Sequence, residues 1–182
     1  SLFYQKRNKL NDDRAGRFSK IDEDETIQEV LKENIYVIAK TPMAKTITQR
    51  TLAGYNDWTT NILYVKEINQ KLKSNMDRTI DEIQKGLNVM KFDVVVGNPP
   101  YQEAGVKDGS RDEPVYHEFI KLAYEISDKS VLITPGRFLF NAGQTPKSWN
   151  EKMLADEHLK VVHYEQNSSK IFPNTDIKGG IV

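Results

Sequence analysis

The residues best equipped for chemistry lie in Lys91 to Gln102, K-F-D-V-V-V-G-N-P-P-Y-Q. Asn98 offers a carboxamide oxygen, Pro99 a backbone carbonyl, and Tyr101 a flat aromatic face. Each proline fixes its own φ near −65°, lacks an N–H, and keeps the residue before it out of the helical region. The segment is therefore stiff and extended, with few donors of its own to consume its acceptors. Two free acceptors beside a ring suit a planar amine, because an NH2 group presents two donors and the ring system attached to it stacks. The alternative is a plain Gly-Asn-Pro turn or an extended Pro-Pro-Tyr ligand segment, and the apolar strand in front of the motif argues against both.

Asn98-Pro99-Pro100-Tyr101 after a strand resembles motif IV of the S-adenosylmethionine-dependent amino-methyltransferases, most familiar in the DNA adenine-N6 enzymes. The resemblance implies that Asn98 and Pro99 hold the exocyclic amine of a base flipped out of the helix and that Tyr101 stacks on it. It also implies that Asn98 and Pro100 border S-adenosylmethionine, the methyl donor. An amine conjugated with a ring is a poor nucleophile, since its lone pair is delocalised. Drawing both N–H bonds toward acceptors favours a pyramidal nitrogen whose lone pair points at the methyl group. Rate enhancement then comes from geometry, with no covalent enzyme intermediate.

The elements that must position this loop follow from patterning. Phe92 to Val96 reads as a buried strand ending at Gly97, on the carboxyl edge where ligands of open α/β sheets collect. Residues 103–113 read as a polar, exposed loop, with Lys107 and Arg111 as candidate phosphate contacts. A helix is expected over 114–127, opened by Pro114. His117 on it has no evident acid–base partner and reads as a partly buried or surface residue. Asp128 to Ser130 reads as a turn into a second buried strand, 131–134. Strand, helix, strand makes a crossover unit and so predicts two adjacent parallel strands. Beyond it, Pro135 and Phe138 are candidates for lining the base pocket, core packing being the alternative for Phe138. A short helix packed through Trp149, Met153 and Leu154 and a third strand over 159–164 should follow.

Residues 168–182, S-S-K-I-F-P-N-T-D-I-K-G-G-I-V, are similar to the hairpin near the end of that family's catalytic domain. By that match Phe172 is the second face of an aromatic sandwich around the base. In order and spacing, Phe92 to Val182 resembles the catalytic half of type II restriction–modification methylases. No P-D…E-x-K nuclease cluster accompanies it.

The N-terminal half carries fewer signals. Residues 1–33 are highly charged and read as a solvated arm with a short amphipathic helix over 25–31; residues 34–182 read as a partial methyltransferase catalytic domain. Ile35 to Ile38 is an expected strand, and Thr41-Pro42 an expected helix start. Where the resemblance calls for a carboxylate to bind the cofactor ribose, Ala39 and Lys40 stand. No glycine-rich first motif is apparent. Trp58, Ile62, Leu63, Val65, Ile68 and Leu72 suggest one helix across 55–76, and a polar helix should span 77–88.

The chain has 182 residues, 26 Lys and Arg against 26 Asp and Glu, and no cysteine. Balanced charge means that any nucleic-acid surface is local. Disulfides and thiolate metal sites are excluded, no metal site is expected, and no apolar run reaches membrane-spanning length. A cytoplasmic protein is the default expectation. The fold expected is α/β and Rossmann-like, an incomplete methyltransferase fold with a mostly parallel sheet and an antiparallel C-terminal hairpin. The expected function is N6-methylation of adenine in double-stranded DNA within a bacterial restriction–modification system. The missing motifs suggest a piece of a larger polypeptide. A glutamine N5-methyltransferase of proteins and a non-catalytic DNA-contacting remnant are the alternatives.

Overall fold

The computed structural model describes residues 20–104 and 112–182, and the side chains from residue 23 onward. They fall into two compact units, one holding residues up to 68 together with 81–89, the other 69–80 together with 90–182.

In the first unit, α1 (Lys20–Glu33) leads into β1 (Tyr36–Ala39), then α2 (Pro42–Ala53) and β2 (Asn61–Tyr64). Helix α2 starts where the sequence says it should. The Thr41 hydroxyl accepts from the Ala44 N–H at 3.0 Å, and Pro42 occupies the first turn, where its missing N–H costs nothing. Strands β1 and β2 are parallel, Tyr36 opposite Asn61 through Ala39 opposite Tyr64. The Asn61 carboxamide donates to the Leu31, Lys32 and Ile35 carbonyls, tying the end of α1 to the sheet. The helix expected across 55–76 is thus a strand followed by a helix, α3 (Ile68–Ser74). Ile62 and Leu63 are adjacent in sequence and match a strand as well as a helix, and pairing with β1 decides between them.

Helix α4 (Met76–Leu87) matches its polar, one-sided pattern. At its end a Cβ on Gly86 would come within 2.8 Å of the Leu63 methyl groups, so the glycine allows a close helix–strand approach.

The second unit is built on β3 (Phe92–Gly97) and β6 (Ser127–Leu132), joined by β4 (Gln102–Glu103), β5 (Glu113–Pro114) and α5 (Tyr116–Ile126). Strands β3 and β6 are parallel, from Phe92 opposite Ser127 to Gly97 opposite Leu132, as the crossover pattern requires. Strand β6 begins four residues earlier than its apolar run, absorbing the expected turn at 128–130 into the ladder. The ladder continues as the Ile133 N–H donates to the Gly97 carbonyl at 2.9 Å. Neither strand is buried on both faces: Val94, Val96, Val131 and Ile133 are all exposed. These residues alternate along the strands and share one face.

After β6 come a 3-10 turn (Gly136–Phe140) and α6 (Lys147–Leu154). Trp149 and Met153 are buried, with Tyr116, Ile120 and Phe138, in one core cluster, whereas Leu154 is exposed. The C-terminal segment returns antiparallel. Val182 exchanges both backbone hydrogen bonds with Thr134, and Ile181 exchanges both with Glu165, so the last residues lie between the two stretches. The strand expected over 159–164 forms no ladder. Val162 is 90% exposed, and pairing is confined to the bridge at Glu165. The result is a mixed α/β architecture with short, mostly parallel sheets and an antiparallel C-terminal return. Among the described residues, no helix is long and apolar enough to cross a membrane.

Candidate active site

The Asn98–Tyr101 loop leaves the carboxyl end of β3, at the sheet edge that the Ile133 to Gly97 bond closes. Asn98 is exposed, Pro99, Pro100 and Tyr101 are half-buried, and no cis peptide bond occurs. The carboxamide oxygen of Asn98 and the carbonyl of Pro99 take part in no hydrogen bond among the described residues, which leaves two acceptors at an open edge.

Tyr101 fixes the far end of the loop. Its carbonyl accepts from the Val115 N–H at 3.0 Å, and its ring packs against the Tyr116–Ile120–Phe138–Trp149–Met153 cluster. Its hydroxyl is buried with no partner, and burial raises its pKa above the usual tyrosine value. Phe172 stands beside it, with ring centroids 6.5 Å apart and planes at 69°. The two rings meet edge to face, not as parallel walls. A short 3-10 turn holds Phe172: the Asn167 side chain caps it, and the Ser168 hydroxyl donates to the Thr175 carbonyl and accepts from the Ile177 N–H.

Phe138 is 2% exposed and belongs to the core cluster behind Tyr101, and Pro135 is buried in the bridge to Ile181. Phe138 thus backs the loop from inside the core. Lys107 and Arg111 lie outside the described residues.

Immediately after the loop lies a feature that its sequence did not suggest. Gln102 and Glu103 pair antiparallel with Glu113 and Pro114, closing the base of the 103–113 segment. Lys73 bridges the two strands, 3.4 Å from Glu103 Oε2 and 3.0 Å from Glu113 Oε2. Gln70 and Asn69 donate to Glu103 Oε1 at 2.7 and 3.3 Å. Burial alone would lower the Lys73 pKa, but Glu113 and Glu103 together carry it above the ordinary lysine value. With partners 30 and 40 residues away, no local spacing reveals this clip.

His117 also has a partner that its sequence context did not advertise. The ring is 5% exposed, and Nε2 donates to Glu118 Oε1 at 3.0 Å while Nδ1 has none. Burial lowers the His117 pKa, with Lys121 and Lys73 adding to the effect and Glu118 opposing it. Its ring stacks edge-on against Trp149 at 5.5 Å, inside the core and not at the open edge. That position makes it structural. Among the described residues, no group of His, Asp and Glu could hold a metal ion.

The site is thus a parallel strand pair whose carboxyl edge carries Asn-Pro-Pro-Tyr, backed by a helix and an aromatic core. The model of the Eco57I restriction-modification methylase family matches residues 33–172. The chain belongs to that family. It is also 29% identical, over 110 residues, to a Mycoplasma pneumoniae protein described as an uncharacterized adenine-specific methylase. The match takes in 59% of this chain and 26% of that relative, so the chain spans well under half the relative's length. No solved structure matches it. The family match covers both parallel strand pairs, the Asn98–Tyr101 loop and Phe172.

Proposed function

We propose that this chain carries the amine-binding and catalytic loop of an adenine-N6 DNA methyltransferase of a restriction–modification system, acting on double-stranded DNA with the target adenine flipped out. The observation that carries it is Asn98-Pro99-Pro100-Tyr101 at the open carboxyl edge of a parallel strand pair, in a chain of a methylase family.

In this reading the Asn98 carboxamide oxygen and the Pro99 carbonyl accept the two amine hydrogens. Holding both localises the nitrogen lone pair, which is the difference between the bound ground state and the transition state that a catalyst must exploit. Tyr101 presents a ring face to the base, and Phe172, meeting Tyr101 edge-on, holds that ring in place or closes over the base after turning. Stacking of this kind is worth about 1–3 kcal/mol per base. Transfer leaves the nitrogen with an excess proton, and the exposed position of Asn98 lets water take it.

S-adenosylmethionine is the methyl donor proposed, and bound beside Asn98 and Pro100 it supplies an electrophilic methyl group. The exposed acceptor edge fits the methyl-bearing end. No carboxylate stands at the end of β1 for the ribose: the strand closes on buried Ala39, and exposed Lys40 follows it. Residues of a longer polypeptide are proposed to complete that part. A cytoplasmic location and association with the rest of a restriction–modification enzyme belong to the same proposal.

The test is methyl transfer from radiolabelled S-adenosylmethionine to adenine-containing duplexes, with the chain in its full-length parent. Asn98→Ala should lose at least about 100-fold in kcat, as removal of a group acting in the transition state does. The melting temperature should stay nearly unchanged, because Asn98 is exposed. Full activity in that variant removes the mechanism, and transfer to a protein glutamine instead of DNA replaces the substrate.

A further inference from the structure

Arg137 is placed with unusual care for a residue without a counter-ion. It lies five residues past the end of β6, on the 3-10 turn beyond the carboxyl end of the strand that pairs in parallel with β3. Its Nε donates to the Lys178 carbonyl at 2.6 Å. Two glycines in the left-handed region crowd its stem. A Cβ on Gly143 (φ 93°) would come within 3.3 Å of the Arg137 Cδ, and one on Gly179 (φ 87°) within 2.6 Å of its Cγ. The backbone carbonyl of Arg137 accepts from the Ala142 N–H, and that turn brings Gly143 round to the stem.

A long, flexible side chain is thus wedged between two turns that only glycine forms without strain. The Lys178 carbonyl takes its Nε–H, and its charge acts on the buried Tyr116 hydroxyl. Burial raises the pKa of that hydroxyl, with Thr145 and the Arg137 charge opposing. Among the described residues, no carboxylate pairs with it. The Nε–H is used, and four N–H donors on the two terminal nitrogens remain, in the fork that fits two oxygens of a tetrahedral anion.

We propose that Arg137 is a binding residue for a backbone phosphodiester of the DNA, next to the extruded nucleotide. The inference rests on the reading of the chain as a DNA methyltransferase and adds a phosphate contact to it. Flipping a base turns its flanking phosphates, and a pre-ordered guanidinium at the edge that receives the base meets such a phosphate without further loss of side-chain freedom.

The experiment is the salt dependence of duplex binding, measured by fluorescence anisotropy with the same protein used for methyl transfer and with the demethylated cofactor present. Arg137→Met should make the slope of log K against log salt shallower by about 0.9, the share of one neutralised phosphate. Arg137→Lys should keep most of the slope. Neutralising phosphates one at a time as methylphosphonates around the target adenine should find one position that reproduces the loss in the natural protein and adds nothing in Arg137→Met. Should Arg137→Met not fold, Arg137→Gln, which retains a donor for the Lys178 carbonyl, takes its place.

An unchanged slope in a folded variant that still methylates DNA overturns the inference and leaves the methyltransferase reading standing. A slope unchanged while the Km for S-adenosylmethionine rises more than tenfold overturns it in favour of the cofactor carboxylate. Failure of the natural protein to bind or methylate any duplex overturns both.

Discussion

At the scale of single residues, the loop separates chemistry from support. Asn98 is exposed and free to act, while Tyr101 is held by its ring and carbonyl but not by its hydroxyl. A buried hydroxyl without a partner forfeits its hydration, about 1–3 kcal/mol. Tyr101→Phe should therefore keep activity and raise stability by up to about 1 kcal/mol in urea denaturation. Tyr101→Ala should lose both activity and stability, and equal activity losses in the two variants would implicate the hydroxyl instead. His117 has the opposite character, a buried ring whose protonation the fold resists. Its folded pKa lies below the unfolded value of about 6.5, so the unfolded state binds the proton first as pH falls. Its contribution is neutral at higher pH and turns destabilising below about 6.5. The melting temperature should fall between about pH 7.5 and 5.5, and His117→Gln should flatten that decline. An equally steep decline in the variant would assign it to carboxylates. Asn98 and Tyr101 were legible as chemical groups because stiff prolines and an aromatic sit together in sequence. The orphaned hydroxyl was not, since burial depends on Tyr116, Phe138 and Trp149 arriving from elsewhere.

At the scale of elements, the clip behind the loop carries the prediction. Lys73 reaches two carboxylates from strands β4 and β5, and the same two strands lie between Tyr101 and Val115. The Lys73 side chain is 31% exposed, so solvent screens part of the attraction. Lys73→Met should cost about 1 kcal/mol, a shift of about 2–4 °C in melting temperature. Amide exchange at Glu103 and Val115 should quicken more than in the core of α5, and uniform quickening would mean that Lys73 supports the whole unit instead of the clip. Among the elements, α2 was readable to the residue because Thr41 and Pro42 act locally. Strand β2 was not, because Ile62 and Leu63 suit either structure until β1 supplies hydrogen-bond partners. The stretch 159–164 errs in the other direction: it is strand-like in composition, but its backbone finds a partner at Glu165 alone.

At the scale of the whole molecule, charge and exposed surface set behaviour in solution. Lysine and arginine equal aspartate and glutamate, the isoelectric point is near 6.8, and Val94, Val96, Val131 and Ile133 expose one face of the parallel pair. With little net repulsion near pH 6.8, self-association should be greatest there and should decline toward about pH 8.5. Light scattering across that range checks it, and scattering independent of pH would show that net charge does not limit association. The sequence by itself determined the chemistry on offer, a stiff acceptor-rich loop after a strand, and the parallel crossover that carries it. Both depend on proline geometry, hydrophobic runs and chain connectivity, which act over a few residues or follow from topology. Tertiary structure decided which groups are satisfied and which are left over. It joined Lys73 to Glu103 and Glu113, buried His117 and the Tyr101 hydroxyl, and wedged Arg137 between Gly143 and Gly179. Those contacts join residues 30 to 42 or only a few positions apart with equal ease, because distance in space, burial and hydrogen-bond supply are properties of the packed chain.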